Sequence, residues 1–465
     1  MAEATMVQTL MENLPAGANP YAFGLHFLEE RRFPPVPGST FKILIGFAVI
    51  HMCIISVSCA VIMVPLLYNQ AKRRKYLWVT KMVYAGTVQV PFRVPNSLLA
   101  VAGSQLVSSI LCLLYTCLDY VSFKSPDMAS KVYLYAWVQL MWLFGFFGYW
   151  ITGWAGLCTI LCSPFPRIPR PFRPLLSRPD LVNLFSLLFP GAVAAGTFAW
   201  IASLVLAYHD ESEAYHHLHA MVEVAAEQFD AKKAVNFMQL YKASAIYIQI
   251  NRRLTQRLRW NSFCWAAVGL LTLGFFMLSG GSLVELLRRS QTKVKDMNPT
   301  RTRVKHSSDE TFSQPGPAQI ALELKRGYIY VLCHFSVMMV SMAYTIAVCL
   351  LIGIKADEVV LDSYWRSLGS WLYLVCGVIV AFALVLQSWR IFTDLDIIIT
   401  ESEATNTERG DLNETWTCGG ESLCMDNLSI HDGKYSSDTP EVQIHQAVMG
   451  VRLQKAQVVV IRRAF

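Results

Sequence analysis

The residues best suited to chemistry in this sequence form a histidine cluster, which holds His216, His217 and His219. On a helix, His216 and His219 share one face, and Glu223 follows His219 by one turn. Imidazole nitrogens and a carboxylate oxygen at this spacing can coordinate Zn²⁺. Because no second cluster of ligands accompanies them, a solvated, titratable helix face explains the pattern more simply. The sequence therefore predicts no metal and no other cofactor, with His216, His219 and Glu223 kept as the candidate ligands.

Four further polar side chains lie inside long apolar stretches: His51, Gln105, Gln139 and His334. Ionisable residues at membrane depth are functional candidates by default. However, no Asp, Glu, Lys or Arg lies at a similar depth in the sequence, so these residues do not form a recognisable proton relay or ion path. We expect them to hydrogen-bond neighbouring helices instead.

Sequence motifs of enzymes are absent from the chain. It contains no glycine-rich phosphate loop, no nucleophile elbow and no pair of intramembrane carboxylates. Ten of the twelve cysteines lie in or beside apolar stretches, where cysteine acts as a small apolar residue. We therefore expect that the protein is not an enzyme.

Seven apolar stretches dominate the chain and must position all of these residues. Each exceeds the roughly 20 residues that a helix needs to cross a hydrocarbon core about 30 Å thick. Lipid offers no hydrogen bonds to a bare peptide group, so these stretches must be helices. The sequence therefore predicts an all-α membrane protein, a bundle of seven transmembrane helices within 41–399. The spans are predicted at about 41–68, 97–118, 132–162, 181–208, 262–287, 328–354 and 368–389.

Basic residues set the orientation of this bundle. Lys and Arg concentrate in cytoplasmic loops, and here they cluster after the first, third and fifth spans. This pattern places the N-terminus, with an extracytoplasmic leader at 1–40, outside, and the C-terminal tail in the cytoplasm. It also explains the net charge of +7 without nucleic acid. The longest inner loop, 288–326, offers a partner-facing basic surface made of Arg288, Arg289, Lys293, Lys295, Arg301, Arg303 and Lys305.

The tail, 400–465, has the polar, acid-rich composition of a largely disordered segment. It contains two cysteines, Cys418 and Cys424, and two glycosylation sequons that begin at Asn413 and Asn427. Outside the cell, these residues would suggest a disulfide and glycans. The predicted orientation places them in the cytoplasm, where neither modification is expected.

The segment 209–260, between the fourth and fifth spans, is predicted to form a helical hairpin on the outer face. Asp210, with Glu213 three residues later, is typical of a helix start. Apolar residues recur at helical spacing on both sides of a break near Asp230, and the second arm should run directly into the fifth span. By contrast, 76–95 mixes polar and apolar residues and is predicted to lie at the interface rather than to form an eighth span.

This predicted architecture resembles that of G-protein-coupled receptors: seven spans, an outside N-terminus, a basic loop between spans five and six, and a Ser/Thr-rich tail. The resemblance implies that an unknown ligand signals to a cytoplasmic partner. The motifs depart from the family, because 155–162 lacks the acidic-Arg-aromatic triplet and the seventh span lacks the Asn-Pro-x-x-Tyr turn.

Two other functions remain open from the sequence. A non-catalytic scaffold or orphan membrane protein is the main alternative, and a transporter or channel is the other. The transporter is disfavoured, because the spans carry neither buried charges nor recognisable repeats. In every case the lipid bilayer is a partner, and the protein is an integral component of the plasma membrane or an endomembrane.

Overall fold

The structure is a computed structural model that describes residues 19–33, 36–67, 78–84, 90–125, 133–162, 178–229, 237–297 and 317–408. The chain divides into two compact units, Met1–Val385 and Leu386–Phe465. Within the described ranges the elements are α1 (Pro20–Arg32), α2 (Gly38–Leu67), β1 (Thr80–Val83), β2 (Phe92–Pro95), α3 (Ser97–Lys124), α4 (Leu134–Leu161), α5 (Pro179–Glu227), α6 (Phe237–Met297), α7 (Pro317–Ile354), α8 (Ala356–Leu361) and α9 (Ser363–Glu408).

Seven of the helices in the described ranges are long and apolar enough to cross a membrane: α2, α3, α4, α5, α6, α7 and α9. Each of the seven predicted spans overlaps one of them. The prediction of an all-α membrane bundle is therefore confirmed at this level, and the chain is a multi-pass integral membrane protein. In the second unit, the structure describes the end of α9, which continues to Glu408 and so includes the start of the predicted tail.

The fourth and fifth spans are much longer than the membrane requires. Helix α5 runs without interruption from Pro179 to Glu227, and α6 from Phe237 to Met297. Both predicted arms of the 209–260 segment are helical, and the second continues directly into the fifth span as predicted. The predicted helix start at Asp210 is wrong, because Asp210 lies inside α5. No Gly or Pro separates the apolar part of α5 from its polar end, so the helix continues through Asp210 to Glu227.

A short helix in the leader, α1, was not predicted. Its start has a clear local cause: the Asn19 side chain accepts hydrogen bonds from the amides of Tyr21 and Ala22, and Pro20 occupies the first helical turn. Asn19 also donates to the carbonyl of Ala226, at 2.8 Å. Tyr21 packs with Leu218, Val222 and other apolar residues of α5 and α6. We call this assembly, made of α1 with 211–229 and 237–254, the leader cap.

The described part of 76–95 is a hairpin rather than a spanning helix. Strands β1 and β2 pair antiparallel, and the side chains of Phe92 and Val94 are buried in the main core cluster. Asn183 on α5 holds the second strand, because it accepts from the Arg93 amide at 3.0 Å and donates to the Pro91 carbonyl at 2.9 Å. The hairpin thus closes the gap between α4 and α5.

Helix α4 forms the centre of the bundle. In its most apolar window 72% of the residues are buried, against 6% for α5, which lies at the periphery. Trp142, Phe146, Trp150 and Trp154 fill the core from α4. Helices α6 and α7 approach closely because Gly280 leaves room for the ring of Phe335, which a Cβ atom would overlap.

Candidate binding cavity at the leader-side end

A cavity of about 90 Å³ lies beneath the leader cap, at the end of the bundle where α1 packs. Seven elements contribute to its wall: α1, α3, α4, α5, α6, α8 and α9. The wall combines four formally charged side chains, Arg32, Asp119, Glu211 and Arg366, with a set of tyrosines. We call it the leader-side cavity.

A buried ion pair joins α1 to α5 in the cavity wall. The Arg32 guanidinium, just at the end of α1, donates to the Glu211 carboxylate of α5, and only 8% and 7% of the two side chains are exposed. Burial lowers the pKa of Arg32, but the charge of Glu211 and nearby tyrosines outweighs it, so the net pKa is raised. The Arg32 guanidinium also lies 4.2 Å from the ring centroid of Tyr215. This pair anchors the end of α1 over the cavity.

The acidic side chain of Asp119 lies deeper in the cavity wall. It is 1% exposed and stands in the last turns of α3. One carboxylate oxygen interacts with Ser370 of α9, while Oδ2 is buried without a hydrogen-bond partner in the structure. Among the residues that the structure describes, no ion pair joins Asp119 to a basic side chain. A buried carboxylate oxygen of this kind has unused capacity to accept hydrogen bonds.

The basic side chain of Arg366 lies at the start of α9, on the same cavity. Its Nη1 donates to the carbonyl of Arg32 at 3.2 Å, and its guanidinium lies 5.3 Å from the ring centroid of Phe123. Arg366 attracts Asp119 electrostatically, yet the two do not form an ion pair. Because α1 ends at Arg32, this hydrogen bond ties the first described helix to the last span.

Tyrosines make up most of the remaining polar surface of the cavity. Tyr247 of α6 interacts through its hydroxyl with both Arg32 and Glu211. Tyr115 donates to Ser370 at 3.3 Å, and its ring meets that of Tyr373 edge to face, with centroids 6.3 Å apart. Tyr135 and Tyr208 complete the set. The cavity therefore offers hydrogen-bond donors, acceptors and aromatic faces, which suit the binding of a small polar molecule.

A second cavity, of about 70 Å³, lies in the middle of the bundle. Its polar groups are bonded to one another: Gln105 donates to the Gly377 carbonyl at 3.0 Å, and the Tyr149 hydroxyl lies 2.6 Å from that of Ser341. The Thr345 hydroxyl lies 2.9 Å from the Cys376 sulfur. We call it the mid-bundle cavity. Packing between helices explains its polar wall better than a ligand-binding site does.

Two of the four polar residues predicted to hydrogen-bond neighbouring helices, Gln105 and Gln139, do so. Besides Gln105, Gln139 of α4 accepts a hydrogen bond from the indole of Trp265 on α6. His51 is fully buried and packs against α9, where a Cβ at Gly377 would lie 2.8 Å from the His51 ring. The His334 ring stacks on that of Tyr330, with centroids 6.0 Å apart. His51 thus lies in a contact between helices, whereas the ring partner of His334 lies on the same helix, α7.

The candidate metal ligands lie in the leader cap and not at the cavity. His219 contacts Glu29 of α1 at 3.1 Å and Glu223 at 3.7 Å, while His216 is exposed and borders the ring of Tyr215. In the described ranges, no group of three or more His, Cys, Asp or Glu residues is arranged to hold a metal ion. The structure therefore shows His219 linking α5 to the leader helix.

The predicted basic surface begins on a helix. Arg288 and Arg289 lie in α6, where Arg289 pairs with Glu285 at 2.6 Å. Lys293 and Lys295 lie further along the same helix. Arg301, Arg303 and Lys305, like the tail residues Asn413, Cys418, Cys424 and Asn427, lie outside the described residues.

Sequence reasoning missed the cavity because its charges stand at the ends of spans. In the sequence, Asp119 and Arg366 look like loop residues whose charges help only to predict the orientation of the bundle. A usable signal was present: tyrosine and a charged or polar residue recur one turn apart, as in Tyr115 with Asp119 and Tyr247 with Asn251.

Comparisons with protein-family models, with curated proteins and with solved structures each found no match.

Proposed function

We propose that this protein is a non-enzymatic, seven-helix receptor-like membrane protein. In this proposal the leader-side cavity faces the outside and binds a small polar ligand, and the opposite end signals to a cytoplasmic partner. The orientation rests on the positive-inside rule, which places the basic residues after the first, third and fifth spans in the cytoplasm.

The observation that carries the proposal is the continuity of α6. This single helix of 61 residues supplies Tyr247 and Asn251 to the cavity wall and carries Arg288 and Arg289 near its other end. At a rise of 1.5 Å per residue it is about 90 Å long. A tilt or rotation of such a helix at the cavity would displace its basic end, which is a common means of signal transfer.

The construction of the cavity supports ligand-dependent movement. Arg32 makes two contacts in the cavity wall, one with Glu211 on α5 and one with Arg366 on α9. A ligand that competes for these groups would change how α1, α5 and α9 hold together. The mid-bundle cavity, whose polar groups are bonded to one another, gives less support to a path for solute.

The test is a screen on the purified full chain in lipid nanodiscs, with a fluorescent amino acid inserted at Arg288. The probes are the proteinogenic amino acids, simple alkylamines and simple carboxylates. We expect at least one compound to raise the unfolding temperature and to change the emission at Arg288, because the exposed end of α6 moves. Tyr247→Phe should weaken both effects.

Tyr241→Phe is the matched control, because Tyr241 lies on the same helix but is 72% exposed and away from the cavity. A compound that stabilises the protein without changing the Arg288 emission would contradict a receptor function. Flux of that compound into proteoliposomes would support a transporter function in place of a receptor function. If no probe binds, a scaffold becomes the better explanation.

A further inference from the structure

We infer that the leader-side cavity selects a small zwitterion, a molecule that carries one ammonium and one carboxylate. The inference deepens the proposed function, since it rests on this cavity being the ligand site. It follows from which charges of the cavity wall are already neutralised and which are not.

The four charged side chains of the wall fall into two classes. Arg32 and Glu211 form an ion pair with each other, so their charges are mutually satisfied. Asp119 and Arg366 are opposite in charge and line the same cavity, but no ion pair within the described ranges includes either of them. Two separated and unpaired charges of opposite sign are the complement of a zwitterion.

Asp119 is the acidic residue that would bind the ammonium group of the zwitterion. Its Oδ2 atom is buried and has no hydrogen-bond partner, although the residue is only 1% exposed. Leaving a carboxylate buried and unpaired is costly, and an ammonium group of a ligand would supply both the charge and the missing donor. The rings of Tyr115 and Tyr373, close by on α3 and α9, add aromatic surface that favours a cation.

Arg366 is the basic residue that would bind the carboxylate group of the zwitterion. A guanidinium has five N–H donors, and the structure engages the Nη1 group of Arg366 with the Arg32 carbonyl. The remaining donors suit a carboxylate, which arginine binds in a two-pronged geometry. Because Asp119 and Arg366 are attracted but not in contact, a bound molecule can bridge them.

The size of the cavity restricts the ligand further. The cavity volume of about 90 Å³ is several times the minimum of about 10–15 Å³ that one ordered water needs. Sites for drug-sized ligands have volumes of about 300–1,000 Å³, so this cavity suits a molecule with few heavy atoms.

The experiment measures binding by calorimetry on the full chain in nanodiscs. Glycine, β-alanine and γ-aminobutyrate are the zwitterionic probes, in which the two charges are increasingly far apart. Propylamine and propionate are the single-charge probes. We expect one zwitterion to bind at least about tenfold more tightly than either single-charge probe, because a charged hydrogen bond contributes enough for about that factor.

Two substitutions separate the two halves of the site. Asp119→Asn should weaken zwitterion binding about tenfold or more while propionate binding persists, and Arg366→Gln should do the reverse with propylamine. Asp357→Asn and Arg259→Gln are matched controls, because these residues form an exposed ion pair elsewhere. If a neutralising variant fails to fold, the charge-preserving variants Asp119→Glu and Arg366→Lys should change the preferred zwitterion length instead.

Each result of the binding experiment either supports or contradicts the zwitterion inference. If no zwitterion binds more tightly than propylamine and propionate, the inference is overturned, as it is by unchanged zwitterion binding in Asp119→Asn and Arg366→Gln. Zwitterion binding without movement at Arg288 would sustain this inference but end the receptor proposal. Movement caused only by a single-charge probe would do the opposite.

Discussion

The leader-side cavity and the mid-bundle cavity are similar in size but differ in how their polar groups are satisfied. In the mid-bundle cavity, Gln105, Tyr149 and Thr345 each bond to a partner on another helix. In the leader-side cavity, Asp119 keeps a buried oxygen without a partner. Polar residues that bond to one another are explained by packing between helices, whereas the unsatisfied carboxylate oxygen makes the leader-side cavity the better candidate for a binding site.

The largest expected effect comes from removing one member of the buried ion pair. Glu211→Ala should lower the free energy of unfolding by about 3–5 kcal/mol, because Arg32 would remain buried without a counter-charge. Thermal unfolding in nanodiscs measures this change, and limited proteolysis should show earlier cleavage near α1. The double variant Arg32→Met with Glu211→Leu should recover most of the loss. Equal losses in the single and double variants would contradict a mutual pair.

Packing of the central helices should be the next most sensitive feature. Gly280→Ala should lower the free energy of unfolding by about 1–3 kcal/mol, since its new methyl group overlaps the Phe335 ring. Gly281→Ala is a matched control on the neighbouring position, where nothing lies within 4 Å of a Cβ. That change should be neutral or slightly stabilising, because alanine favours the helix more than glycine. Similar unfolding temperatures for both variants would show that α6 and α7 do not meet at Gly280.

A smaller effect separates the two cavities directly. Gln105→Leu removes a hydrogen bond between helices and should cost about 0.6–1.7 kcal/mol. Asp119→Asn should instead leave the stability of the ligand-free protein unchanged or raise it, because it removes an unpaired buried charge. Unfolding temperatures of the two variants, measured side by side without ligand, test this contrast. Destabilisation by Asp119→Asn to the same degree as by Gln105→Leu would remove the distinction between the cavities.

The sequence predicts the spans well and the cavity poorly, for a physical reason. A span such as α7 is encoded by its own apolar residues, so length and hydropathy suffice. The cavity arises from side chains that are far apart in the chain: Arg32 meets Glu211 across 179 positions and Arg366 across 334. Local patterns do not contain such pairings, and the 13 residues of α1 show only a weak amphipathic periodicity.

The hydrogen bond between Arg366 and the Arg32 carbonyl can form only late in biosynthesis, because its two residues are far apart in the chain. The ribosome makes Arg32 first, Glu211 179 residues later and Arg366 334 residues after Arg32. Before the final membrane segment is made, the amino-terminal helix can pack on α5 and α6, but it still lacks its hydrogen bond to Arg366. A chain that ends before Arg366 would keep the first six apolar helices but would have no counterpart for the carbonyl at the end of α1.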